Sequence, residues 1–251
     1  MPRDERALHA GLSDPTVPRA LARGALEILG LMPGSSNYTF LAKATDPDGD
    51  DETLAIYKPR RGERPLWDFP EGTLCRREVA AYVVGRALGW PRVPPTILRD
   101  GPEGIGSAQL FLEFDPDQHY FTLQGTHDDA FRDIALFDVV VNNADRKGGH
   151  CLLALDGEIF AIDHGVCFHE EDKLRTVIWE FMGEPIAPER VEALQVFARE
   201  LADRDGATHR ALSDLLSAPE LEAMRARIDT LLQRRVFPEP GDERPYPWPP
   251  I

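Results

Sequence analysis

The chain has 251 residues, of which 42% are hydrophobic and 28% charged, the composition of a globular protein large enough to bury its own core. Its formal net charge of −15 disfavours general nucleic-acid binding and passive adhesion to anionic membranes, both of which depend on Lys and Arg. No stretch approaches the roughly 18–20 apolar residues of a membrane span, and the start of the chain lacks a secretory apolar run, so a cytoplasmic protein without a transmembrane segment is expected.

The three cysteines, Cys75, Cys151 and Cys167, are odd in number and irregularly spaced. They are read as reduced, buried thiols, since they form neither a disulfide framework nor a CxxC metal pair. Only four of the 28 basic residues are lysines (Lys43, Lys58, Lys147 and Lys173), so arginine is the default cation of this chain. A retained lysine marks a position where a compact point charge could be wanted.

Residues 18–29 are predicted as a short amphipathic helix, with Leu21, Ala25, Leu26 and Leu29 on one face. A Gly/Ser/Asn turn at 30–37 leads into a strand over 38–43. Asp46, Asp48 and Asp50 alternate in an acidic turn, but the twelfth position of a calcium loop is Tyr57 instead of Glu, so a solvated hairpin turn is expected. Residues 53–58 alternate as a strand, with Leu54, Ile56 and Lys58 facing one way and Pro59 ending the ladder. Residues 60–74 are irregular; Trp67, Phe69 and Arg60–Arg64 could form a substrate lip, but a packed loop under the N-terminal lobe is the favoured reading. A helix follows over 75–89 with Gly89 near its C-cap, then strands over 96–99 and 107–113.

Residues 128–143 are helical by pattern. Two short strands, 151–155 and 159–162, flank Asp156–Gly157, a strong hairpin signal. Helices are predicted at 172–182, 188–204, 207–216 and 218–235, the last opened by a Ser217–Glu220 capping box with Pro219 in its first turn. The Pro-rich end of the chain is read as an extended strap or as disordered.

Phosphoryl transfer needs a phosphate cradle, a Lys for phosphate charge, a Glu to position that Lys, acidic groups for a metal ion, and an Asp for the nucleophile. Gly34, Ser35, Ser36 and Asn37 could form the cradle, or an ordinary turn. Lys58 closes an apolar strand face expected to point inward, as a functional charge or as a snorkelling side chain. Glu78, on the helix 75–89, could pair with Lys58 or serve as a solvated or helix-end charge. Asp145 follows a helix and Asp163 follows a strand, with one hairpin between them, so both carboxylates can point into one cleft.

The run NNADRKGGHCLLALDGEIFAIDHGVCF resembles the catalytic and metal-binding segments of the phosphatidylinositol 3- and 4-kinase superfamily, nearest to the type II phosphatidylinositol 4-kinases and the HipA-like kinases. Over residues 25–182 the chain is similar to an actinobacterial kinase-like family. The resemblance implies an α+β, two-lobed protein-kinase-like fold, with a strand-rich N-lobe (1–114), a mostly helical C-lobe (115–235) and a Pro-rich tail (236–251). It implies that Ser35, Ser36, Asn37 and Lys58 contact the phosphates of ATP, that Glu78 holds Lys58, and that Asp145 is the catalytic Asp. Asp163 would bind Mg²⁺ or Mn²⁺, and Gln109, Phe111 and Glu113 would line the adenine pocket. The sequence departs from the pattern at His150, which stands where these families usually place a metal-binding Asn; an imidazole suits Mn²⁺ or Zn²⁺ better than Mg²⁺.

The expected function is therefore an ATP-dependent phosphotransferase acting on an unknown protein or small-molecule acceptor. The alternatives are a nucleotide-binding pseudokinase or an AMP transferase acting through partner proteins. A zinc hydrolase built on His150, Asp163, His164 and His169 is a third reading without a matching signature.

Overall fold

The structure, a computed structural model, describes residues 7–8, 14–34, 37–49, 51–241 and 244–251. A short helix α1 (Arg19–Arg23) leads into five strands: β1 (Ala25–Leu31), β2 (Phe40–Thr45), β3 (Glu52–Pro59), β4 (Thr96–Gly101) and β5 (Gly104–Leu110). They form one antiparallel sheet in the order β1-β2-β3-β5-β4. Helix α2 (Leu74–Leu88) packs on β4 and β5, and Gly89 ends it in the left-handed conformation that glycine adopts without a Cβ clash.

The remainder is mostly helical: α3 (Tyr120–Leu123), α4 (Asp128–Val141), α5 (Pro188–Ala202), α6 (Ala207–Leu215) and α7 (Ala218–Arg234). A two-stranded hairpin, β6 (Cys151–Leu153) with β7 (Ile159–Ala161), lies between α4 and α5 in sequence. One apolar cluster runs through both halves, from Val79 and Ile97 to Phe131, Phe197 and Met224. The Ser217–Glu220 capping box is present, with the Ser217 hydroxyl accepting from the Glu220 N–H. All three cysteines are free and buried.

Two predicted helices are corrected. Helix α1 stops at Arg23, and residues 25–31 are the edge strand β1 instead of helix. A Cβ at Gly24 would lie 2.4 Å from the carbonyl oxygens of both Ala20 and Thr45, so only glycine allows the chain to leave the helix against β2. The apolar spacing there was helical, but Leu29 and Leu31 are exposed, and pairing with β2 decides the conformation. Residues 172–182 are also not helical. The backbone N–H of Arg175 donates to Asn143 O at 2.8 Å, that of Thr176 to Pro245 O at 3.0 Å, and that of Val177 to Arg146 O at 3.2 Å. Backbone groups committed to distant partners cannot close an i to i−4 ladder.

The Lys58 face of β3, expected to point inward, is not the buried one. Ala55, Tyr57 and Pro59 are the buried set, whereas Leu54, Ile56 and Lys58 share the opposite, partly exposed face. Trp67 is 92% exposed, although the Lys173 ammonium lies 5.0 Å from its ring centroid; Phe69 is buried under the Arg77 guanidinium. The acidic turn is a hairpin connection closed by Asp46 N–H to Asp51 O, and Asp50 lies outside the described residues. Residues 244–251 run as an extended strap, with Pro245 O accepting from Thr176 and Pro250 O from the Gly148 N–H at 2.8 Å.

Candidate kinase-type active site

Lys58 stands near the end of a central strand, where β3 pairs with both β2 and β5. Its ammonium lies 2.8 Å from Asp163 Oδ1 and also contacts Glu78 Oε1. Glu78 is buried on α2 and turns its second oxygen to the His164 N–H at 2.9 Å. One carboxylate thus ties the strand lysine to the loop that carries Asp163. Burial works against the Lys58 charge, but Asp163 and Glu78 outweigh it and hold the ammonium above its usual range. The Lys58 charge holds the Asp163 carboxyl well below the ordinary carboxylate range. Burial raises Glu78, with Lys58 opposing and Asp163 adding to the rise.

Asp163 follows β7 with φ of 60°, a left-handed conformation that aspartate tolerates better than most residues. Its side chain is 47% exposed toward the cleft. His150 Nε2 lies 3.3 Å from Asp163 Oδ2. The Lys147 N–H points at His150 Nδ1 at 3.4 Å, which makes Nδ1 the acceptor and places the imidazole proton on Nε2, facing Asp163. Burial lowers the His150 pKa to about 4, so the ring is neutral at pH 7.

Asp145 follows α4, whose last residue before the loop, Asn142, caps the helix in the left-handed conformation. Asn143 accepts the Asp145 N–H at 3.0 Å and so shapes the loop. Burial raises the Asp145 pKa, against the opposing charge of Lys147, whose ammonium lies 3.2 Å from Asp145 Oδ2. A carboxylate moved toward neutrality is a better proton acceptor than an ordinary one. Lys147 itself was legible only as one of four lysines; its place two residues after the Asp was the available signal.

The loop is anchored from below. Arg146 and Asp138 are both sealed from solvent and joined by Nε–Oδ2 at 3.0 Å and Nη2–Oδ1 at 3.0 Å. Arg146 also donates to Ile162 O at 2.8 Å and contacts His164 Nε2 at 2.7 Å. The same guanidinium therefore holds both the Asp145 loop and the residues flanking Asp163. Asp138 and Asn143 were missed in the sequence; an acid on an apolar helix face beside Ile134 and Val141 was the signal.

A Cβ on Gly148 would lie 2.8 Å from the Phe121 ring and 3.5 Å from Pro250 O, so close packing favours glycine at that position.

The remaining predicted residues are placed differently. Ser35 and Ser36 lie outside the described residues. Asn37 turns its Oδ1 to the Arg64 N–H at 2.8 Å. Gln109 is buried in the sheet, donating to Thr96 Oγ1 at 2.9 Å, while Phe111 N–H donates to Leu54 O and Glu113 O accepts from Leu155. The zinc cluster is not assembled: His164 is held by Arg146, and His169 packs on Phe69 and accepts the Glu171 N–H. Among the described residues no three His, Cys, Asp or Glu side chains converge as a metal cage. Asp163 and Asp145 instead fit a hard cation shared with nucleotide phosphates, which typically takes only one or two protein carboxylates.

A Lys–Glu pair between strand and helix, an Asp-containing loop after a helix, and a second Asp after a short hairpin define a kinase-like fold and cleft. A family profile described as phosphatidylinositol 3- and 4-kinase matches residues 98–194. The Mycobacterium tuberculosis protein Rv2133c is 40% identical, covering 91% of this chain and 93% of its own. Phosphatidylinositol 4-kinase gamma 4 of rice is 32% identical, and that of Arabidopsis thaliana 29%. The chain covers only 30% and 38% of those two plant proteins. The crystal structure of the Helicobacter pylori proinflammatory kinase CtkA matches with a TM-score of 0.50 at 14% identity, over 85% of this chain and 93% of that one, a likeness of fold. The chain belongs to one family with Rv2133c, and its segment 98–194 is similar to the phosphatidylinositol 3- and 4-kinases. Among the described residues no helix is long and apolar enough to cross a membrane.

Proposed function

We propose that the chain is an ATP-dependent phosphotransferase that phosphorylates a hydroxyl of a protein or small-molecule acceptor. The observation that carries this reading is the Lys58 ammonium held between Glu78 and Asp163, because it joins a phosphate-binding cation to a metal-type carboxylate in one cleft. Lys58 neutralises phosphate charge, and Glu78 keeps it aimed. Asp145 accepts the proton of the acceptor hydroxyl as the new phosphate ester forms. Lys147 lies against Asp145 and neutralises charge on the transferred phosphoryl group. Asp163 and Asp145 would hold a divalent ion, which would supply neutralisation of phosphate charge. His150 orients Asp163 through its Nε2–H. A protein or small molecule is favoured over a membrane lipid by the net charge of −15, which repels anionic bilayers.

The test is product analysis with ATP and Mg²⁺ or Mn²⁺. ADP formation lost in Asp145→Asn supports phosphoryl transfer. AMP-modified protein with pyrophosphate would reassign the cleft to nucleotide transfer, and ATP binding without turnover would make it a pseudokinase.

A further inference from the structure

A cleft of about 1130 Å³ opens away from the catalytic residues, between α7, the segment 170–175 with Trp179, and the residues Val236, Pro238, Gly241 and Arg244. Neither Lys58, Asp145 nor Asp163 lines it. In a chain with net charge −15, four arginines line it: Arg175, Arg227, Arg234 and Arg244. Carboxylates are present on the rim as Glu170, Glu171, Asp172 and Glu239, and Lys173 is already occupied by Asp68 at 3.4 Å and Glu171 at 3.7 Å. Among the described residues, however, none of the four arginines forms an ion pair with a carboxylate.

Arg227 is the sharpest case. Its Nε donates to Val140 O at 3.1 Å and its Nη1 reaches His169 O at 3.5 Å, but its Nη2 is buried without any partner. Burial lowers its pKa to about 10, with the Asp172 charge opposing the fall. A partly buried cation whose hydrogen bonds go to carbonyl oxygens retains a desolvation cost that an incoming anion would offset. Beside the guanidiniums the wall is apolar, with Trp179 at 8% and Leu231 at 3% exposure. A pocket with a cationic end and an apolar wall fits an amphipathic anion better than a bare inorganic ion.

We propose that this cleft is a binding site for a phosphate monoester carried on an apolar or aromatic body, distinct from the nucleotide cleft. Its wall is the segment that Asn142 holds by donating to His169 O at 2.9 Å and Glu171 O at 2.6 Å. A ligand seated there therefore braces the chain three residues before Asp145.

The experiment is calorimetric titration of the full chain with phenyl phosphate, alongside phenol and inorganic phosphate, in wild type and in Arg227→Met. Saturable binding of phenyl phosphate is expected, with both controls weaker, and a loss of about tenfold or more in Arg227→Met. Because Arg227 packs against backbone carbonyls, Arg175→Gln combined with the exposed Arg234→Gln provides a second variant, in which weakening is also expected. Asp163→Ala should bind phenyl phosphate as wild type does, which separates this site from the nucleotide cleft. Equal affinity in both arginine variants, loss of binding in Asp163→Ala, or no saturable binding in the millimolar range would overturn the proposal.

Discussion

Lys58 Nζ lies 2.8 Å from Asp163 Oδ1, although the two residues are 105 positions apart in the chain. The contact joins the central strand of the sheet to the loop after the hairpin, and buried Glu78 reinforces it from α2. Removing the cation leaves two carboxylates facing each other across a partly closed cleft. Lys58→Met should therefore abolish turnover and also destabilise the fold. Adding Glu78→Gln to that variant should restore part of the stability, with a coupling energy of about 0.5–3 kcal/mol in a double-mutant cycle read by urea unfolding. Strict additivity of the two changes would show that the pair is not coupled.

Asp138→Ala should be more costly to the fold than any change in the cleft. It strands the Arg146 guanidinium, which is fully buried, without its carboxylate. Breaking one side of a buried ion pair typically costs about 3–5 kcal/mol, and the midpoint of urea unfolding should fall accordingly. The loop holding Asp145 and the residues beside Asp163 should loosen together, seen as faster amide exchange at both.

Much of this was readable locally. Gly89, the Asp156–Gly157 turn and the Ser217–Glu220 box carry their own backbone chemistry, so α2, the hairpin and α7 could be placed from short stretches. The order of Lys58, Glu78, Asp145 and Asp163 was legible as well, and their geometry brings Lys58, Glu78 and Asp163 into direct contact. What was hidden depends on distant partners. Strand β1 exists because β2 pairs with it, and 172–182 stays irregular because Asn143, Arg146 and Pro245 take its backbone groups. Asp138 shows in the sequence only as an acid on an apolar helix face, and its partner emerges once Arg146 folds back onto it from the loop. Likewise, alternation along β3 could show that Lys58 shares a face with Ile56, but not that this face looks into the cleft.

The pH dependence of stability follows from His150. Its folded pKa is about 4, below the ordinary value of about 6.5 expected for the unfolded chain. Between those values the unfolded chain binds the extra proton, so stability is fully present above about pH 6.5 and falls as the pH drops toward 4. The loss is on the order of 3 kcal/mol, and burial of His164, which lowers that ring as well, acts in the same direction. His150→Asn should flatten this part of the profile in thermal unfolding from pH 7 to 4.

Lys147→Ala tests the cation beside Asp145. Turnover should fall by about 10²-fold or more, the scale seen when one charge-stabilising group is lost, while nucleotide affinity changes little. An unchanged rate would remove Lys147 from the account.

The most direct test of the nucleotide cleft is the thermal stability of wild type and Asp163→Ala with and without ATP, in Mg²⁺ and Mn²⁺ in parallel. A ligand that binds only the folded chain adds about 2.7 kcal/mol at a hundredfold excess over its dissociation constant. A metal-dependent rise in Tm with ATP in wild type, absent in Asp163→Ala, is the predicted result. No shift with either metal, or the same shift in both proteins, would contradict it.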